Sequence, residues 1–312
     1  MERRYQQKYP HLFSPVTVRG KRIRNRITAA PHGGKPVMFV SGEEGYSNFS
    51  ETAAKYYGTL ARGGAGIVNT GHLGVDPRYL LGGSKEKFNL FSEETLAQHG
   101  EPMLQLMSDY IHAYGAIASL ELNHGGLYCT PISEEDMVLG PCTTAIHDFG
   151  EIRQVKGMDE AEMKRVAEYF ANAARIGKRC GFDAINVHAG HNWLLGIFLS
   201  PLDNQRTDQY GGSVENRARF PKMVLDSIRE TIGENMILIV RFSASELLRG
   251  GVSIEEAVEI AKILGESADI VHCSAGRIRD VETAGFMFPL QYMEHGVNTY
   301  LAAEIKKNVP NV

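Results

Sequence analysis

The chain is poor in the features that mark several large protein classes. Tryptophan occurs once, at Trp193, and cysteine four times, at Cys129, Cys142, Cys180 and Cys273, with no C-x-x-C pair. That spacing fits neither a zinc ribbon nor a disulfide-dense secreted scaffold, so reduced thiols in a cytoplasmic setting are expected. Neither charge sign dominates: 33 basic residues stand against 37 acidic ones, a formal net charge of −4. No Lys/Arg run is long enough to track phosphates, which argues against nucleic acid as a partner. Long apolar runs are missing too. The longest are strand-sized, such as Met236 to Val240, against the roughly 20 residues a membrane helix needs. The charged start Met1-Glu-Arg-Arg is unlike a secretory leader. A protein outside the membrane and not exported is expected.

What is present is ample apolar content, 43% of 312 residues, and a repeating order. Short β-branched or aliphatic runs alternate with longer stretches of helical period, the pattern of β-α units on a parallel sheet. The runs 26–30, 65–70, 117–122, 184–187, 236–241 and 269–273 are read as strands. Asp159 followed by Glu162 opens a helix whose apolar residues Met163, Val166, Phe170 and Ala173 share a face. Ser253 with Glu256 is a second helix start, and Gly265 its stop. The segment from Leu12 to Ile23 reads as a hairpin turning near Arg19-Gly20, placed to plug the bottom of a barrel. Leu127 to Gly157 shows no helical period and reads as a long excursion after the third strand. Ile305 to Val312 reads as a helix tail entering a seventh strand. A closed barrel needs eight strands, so residues 1–312 are expected to form one barrel domain that lacks its last strands. A complete open sheet with a frayed terminus is the alternative.

Four segments could carry chemistry. His188-Ala-Gly-His191-Asn-Trp193 follows a strand, where active sites of parallel α/β proteins collect, and two imidazoles there could donate to a substrate oxygen. The alternatives are a backbone-satisfied structural histidine or half a metal site. No carboxylate or cysteine partners stand nearby in sequence, and no metal is expected. Leu199 to Phe220 is dense in Asn, Asp, Arg, Gly and Tyr and reads as a rigid strap, with Glu215, Arg217 and Arg219 in structural ion pairs. Arg241 ends the fifth strand and needs an anionic partner if buried. The pieces 62–66 and 31–34 are Gly-rich without matching a dinucleotide or phosphate-loop fingerprint.

Together these residues resemble the old yellow enzyme family of FMN-dependent oxidoreductases, from Leu12 to Val312. Ser200-Pro-Leu to Phe220 behind an H-x-x-H carries most of the likeness. Asn25-Arg-Ile, Ala30-Pro31, Arg62-Gly-Gly-Ala-Gly-Ile, Leu122-Asn-His124-Gly-Gly126 and Val240-Arg-Phe-Ser support it. The resemblance implies a TIM (β/α)8 barrel holding FMN at its top, with NAD(P)H reducing the flavin and an activated alkene accepting the hydride. The alkene would belong to an α,β-unsaturated carbonyl, enoate or thioester. It places Ala30, Pro31, His32, Gly71, Glu121 and Arg241 at the flavin and His188 and His191 at the substrate carbonyl.

The chain departs from the family in places. Glu121 stands where the family offers Gln to the flavin, and an ionised carboxylate cannot donate a hydrogen bond. Trp193 replaces the usual Tyr acid, and an indole is no acid at neutral pH. Tyr128, His124, Asp280 or solvent are left as proton sources, or the enzyme runs oxidatively, as an amine dehydrogenase or desaturase. The family's phosphate site would lie past Val312, so the chain as written is expected to bind FMN poorly. Its strand pattern is most similar to the large reductases of the 2,4-dienoyl-CoA reductase, 2-enoate reductase and trimethylamine dehydrogenase type, which continue into a 4Fe-4S cluster and an FAD domain. A non-catalytic remnant and a metal-dependent barrel hydrolase are weaker readings, and the oligomeric state is open.

Overall fold

Six parallel strands lie side by side in chain order and build one wall of a TIM-type barrel. The computed structural model describes residues 8–32, 51–81, 100–148 and 151–311. The six strands are β3 (Thr28–Ala29), β4 (Ile67–Asn69), β7 (Ile117–Asn123), β12 (Ala184–His188), β13 (Ile237–Ser243) and β14 (Ile270–Ser274), paired in that order. Each matches an expected strand within about two residues at either end. β13 is buried along its whole length, as expected for a parallel strand covered on both faces.

Helices α1 (Glu51–Arg62), α2 (Glu101–His112), α3 (Glu160–Arg179), α5 (Val214–Ile232) and α6 (Ile254–Leu264) return the chain between strands. The expected caps form. The Asp159 side chain accepts from Glu162 N at 2.8 Å and Ser253 from Glu256 N at 3.3 Å, and Gly265 follows the last residue of α6. Met163, Val166, Phe170 and Ala173 are all buried.

Because side chains alternate across a strand, the outward residues Val68, Leu120, Val187, Leu238 and Val240 enter the large core under the helices. The inward residues Ile67, Ala184, Ile237 and Ile239 form a second cluster with Ile23. Ile23 comes from the hairpin β1 (Val16–Val18) and β2 (Lys21–Ile23), which plugs the bottom as expected. Arg19 and Gly20 both take positive φ, 49° and 75°, the backbone a two-residue hairpin turn requires.

The excursion after β7 differs from its expected loop character. It holds β8 (Cys129–Pro131), paired with β6 (Tyr79–Leu81), and a three-stranded sheet of β9 (Val138–Gly140), β10 (Thr144–Asp148) and β11 (Glu151–Gly157). Ile152 is exposed while Arg153 beside it is half-buried, so β11 alternates in burial but not in polarity, and the apolar pattern that betrays a half-buried strand is missing from its sequence. A short β5 (Leu73–Gly74) also pairs with β7. The remaining α-helices among the described residues are α4 (Leu194–Leu199), α7 (Val281–Met287) and α8 (Thr299–Asn308). No strand follows α8 among the described residues; Val312 lies outside them, as do Gly33 and Gly34 of the Gly-rich segment.

Candidate active site

Two residues up each strand from the apolar inner layer, the inward positions turn polar. Asn69, Ser119 and Asn186 come first, then Glu121, His188, Arg241 and His272, with His188 opposite Arg241 and Arg241 opposite His272 in register. Asn186 Nδ2 donates to Asn69 Oδ1 at 3.1 Å. The strands therefore carry their inner polar groups to one end, the C-terminal mouth where barrel sites are built.

The histidine pair is shaped by an uncommon backbone. His191 and Asn192 both adopt left-handed conformations, φ 58° and 64°, a strained state for side chains other than glycine that the surroundings must hold. Gly190 permits it, since a Cβ there would lie 2.7 Å from Ser243 N. The fold brings His188 Nε2 to 2.8 Å from His191 Nδ1, and His191 Nε2 to 2.7 Å from Ser274 Oγ. The free nitrogen of the pair is His188 Nδ1, which has no hydrogen-bond partner and faces Glu121 Oε1 at 3.9 Å. Burial, reinforced by the Arg241 cation, pushes both imidazoles well below their ordinary pKa, so both are neutral near pH 7.

Arg241 Nη1 donates to Glu121 Oε1 at 3.0 Å. Burial pushes the Glu121 carboxyl up to about 7 although Arg241 opposes it. The anionic partner demanded by a buried Arg241 is thus the residue that departs from the family pattern. His72, which sequence reading passed over, completes the cluster; its ring centroid lies 5.8 Å from that of His188. Its position just past strand β4, beside Gly71, was the available clue. Burial brings His72, and His272 beyond Arg241, down to about 4. Donor atoms of His72, Glu121 and His188 lie within 4.8 Å of one another, but the Arg241 guanidinium already supplies Glu121 with a cation.

Trp193 packs edge-on against His72 at 5.1 Å and Tyr128 at 5.3 Å between centroids, and Arg279 covers the Tyr128 ring at 4.5 Å. On the other side, Gly71 N donates to the Tyr57 hydroxyl at 2.7 Å, and that hydroxyl donates to His32 O at 3.4 Å. Ala30 is exposed, Pro31 buried and His32 exposed beside them. Two expected residues are placed elsewhere. His124 accepts from Gly126 N through Nδ1 at 3.0 Å, so its Nε2 carries the proton and donates to Asp76 at 3.2 Å. Asp280 accepts from Arg277 Nε at 2.7 Å.

That arginine belongs to a buttress which sequence reading also missed. Arg277 reaches Glu246 at 3.1 Å, Ser200 at 3.2 Å and Asp203 at 3.1 Å. Asp203 accepts from Asn192 at 2.9 Å, and Arg277 pairs by backbone with His191. The strained turn is thereby tied to the strap. Within the strap, Arg217 holds Leu199 O and Glu256, and Asn204 holds Phe198 O and Tyr210 O. Arg217 makes the expected ion pair; Arg219 instead donates to Gln209 O and Asn216.

The mouth is built for a polar guest. Ser119 Oγ, both amide atoms of Asn123, Asn186 Oδ1, His188 Nδ1 and Arg241 Nε are buried without a hydrogen-bond partner, a state proteins rarely leave uncompensated. Residues 11–309 match the family described as NADH:flavin oxidoreductase / NADH oxidase. The chain belongs to that family. An NADH oxidase of Thermoanaerobacter brockii is 33% identical over 97% of this chain and 44% of its own length. Among solved structures, histamine dehydrogenase from Rhizobium sp. 4-9 aligns over 97% of this chain and 42% of its own at 27% identity and a TM-score of 0.81. A 2-naphthoyl-CoA reductase shares the fold, with a TM-score of 0.79 at 24% identity over 96% of this chain and 45% of its own. The chain spans less than half the length of these three proteins.

Proposed function

We propose that this chain binds FMN and, with NAD(P)H as electron source, reduces the activated C=C bond of an α,β-unsaturated carbonyl or thioester. The observation that carries the reading is the pair of buried neutral imidazoles, His188 and His191, set beside Arg241 at the barrel mouth. The partnerless polar atoms below them fit a flat polar ring such as FMN's. Bound there, FMN supplies the two-electron carrier. Glu121 and Arg241 would hold one edge of that group, and the backbone around Ala30, Pro31, His32 and Gly71 another.

Hydride arrival at the β-carbon moves charge onto the substrate oxygen, and a preorganised donor there stabilises charge where it develops. His188 supplies that donor through Nδ1, while its Nε2 is fixed by His191 and His191 by Ser274. A neutral imidazole can donate and keep its proton, which suits a group that must not titrate near pH 7. For the α-carbon proton, Trp193 offers no acid, and His124 and Asp280 are engaged with Asp76 and Arg277. Tyr128, edge-on to Trp193, or solvent is left as the source.

The test is anaerobic: flavin-loaded protein is reduced with NADH or NADPH, then offered cyclohexenone, a 2-enoate or a crotonyl thioester. Reoxidation by one of them, slowed in His188→Ala, is expected; indifference to every alkene sinks the reading. An oxidative reaction is the second reading, favoured by Trp193 and by the likeness to histamine dehydrogenase, and flavin bleaching by amines would identify it. In a longer protein the proposal adds a 4Fe-4S cluster and FAD outside these residues, checked by iron and flavin analysis.

A further inference from the structure

Glu121 is an acid in a place where a neutral amide would satisfy the same hydrogen-bond geometry. It is buried to 1% exposure, and its carboxylate contacts come from different strands. Arg241 on β13 donates to it at 3.0 Å, and His188 on β12 faces it at 3.9 Å. His72 presents a ring nitrogen within 4.8 Å, and Tyr57 on α1 lies within electrostatic reach. Of these neighbours only Arg241 is charged near pH 7, because burial keeps His188, His72 and Tyr57 neutral. Among the described residues Arg241 has two further titratable neighbours, His191 and His272, and both are neutral as well. The balance of charge at the mouth therefore turns on one proton.

We propose that Glu121 is a proton-switched counter-ion of Arg241. Ionised, it neutralises the guanidinium; protonated, it frees that cation to face negative charge arising on a group bound above the polar layer. Charge development at the site is then coupled to proton uptake by Glu121. The group meant is the flavin of the reading above, on which this inference rests, and two-electron reduction supplies the charge. Electrons arrive from the reductant, and the accompanying proton comes from solvent to a Glu121 oxygen. Glu121 titrates near neutrality, at about 7, where such coupling has most effect.

The test compares wild type with Glu121→Gln, which keeps the shape and loses the charge. The flavin midpoint potential is measured from about pH 6 to about pH 8.5, with melting temperature as the control for folding. At about pH 6 the two proteins should agree within about twofold in their preference for reduced flavin; at about pH 8.5 the variant's preference should be about tenfold higher, roughly 30 mV for a two-electron couple. An unchanged potential, or an offset independent of pH, overturns the proposal. A flavin-free arm follows carboxyl-13C glutamate by NMR. One resonance, missing from Glu121→Gln, should titrate near neutrality, and titration in the ordinary carboxylate range overturns the switch. If neither protein takes up FMN, the functional reading fails while the NMR arm still decides the switch.

Discussion

The two ends of the barrel interior use the same strands and the same alternate positions to opposite purposes. At the bottom, Ile67, Ile117, Ile237, Ile239 and Ile270 close on the hairpin residues Val16, Val18 and Ile23. A few residues along, the inward positions of the same strands hold Glu121, His188, Arg241 and His272, with several polar atoms left unpaired. Apolar packing is complete in itself; a buried polar layer is complete only with partners. The bottom therefore stabilises the barrel, and the top holds an unfavourable arrangement that a bound group and a rigid buttress must compensate.

If that contrast is right, the largest single loss of stability from the top comes from its buttress. Arg277→Ala leaves Glu246 buried without its cation and should cost about 3–5 kcal/mol, read by denaturant unfolding; a loss below about 1 kcal/mol would mean the strained His191-Asn192 turn needs no support. Next, His188→Ala should lower the rate of alkene reduction by about 100- to 1000-fold while leaving the melting temperature within a few degrees. A variant that unfolds instead would make His188 a structural residue like the isoleucines below it.

Third is the pH dependence of stability. Glu121 has a raised folded pKa, so its contribution is fully present below its ordinary value near 4.5 and is lost as pH rises through about 7. Relative to wild type, Glu121→Gln should gain up to about 3 kcal/mol between those limits. The buried histidines act in the opposite direction, their contribution present above about pH 6.5 and lost as pH falls toward the folded value, about 4 for His72 and His272. A flat difference between the two proteins across this range would place Glu121 in contact with water. The smallest effect belongs to the bottom: Ile239→Val should cost about 1 kcal/mol and leave flavin affinity unchanged, and a change in affinity would show that the two layers are not separable.

The architecture was legible because alternation and helix caps are local. The β-α order, the hairpin at Arg19-Gly20 and the starts at Asp159 and Ser253 needed only neighbouring residues to read. The excursion strands β10 and β11 were not legible, since their exposed faces carry no apolar alternation. In the site, His188, His191, Arg241 and Glu121 stood out through their places at strand ends and through the family pattern. His72 and Arg277 did not, because each acquires its role from residues far along the chain.

The sequence alone determined which residues face inward on each strand, and hence that acids, bases and amides would gather at the strands' C-terminal ends. Only the tertiary structure decided their pairing. Arg241 and Glu121 are 120 residues apart in the chain. Whether a guanidinium meets a carboxylate, and whether an imidazole sits in water or in a dry barrel, depends on sheet register and burial, and those two properties set both the charge and the direction of every group in the site.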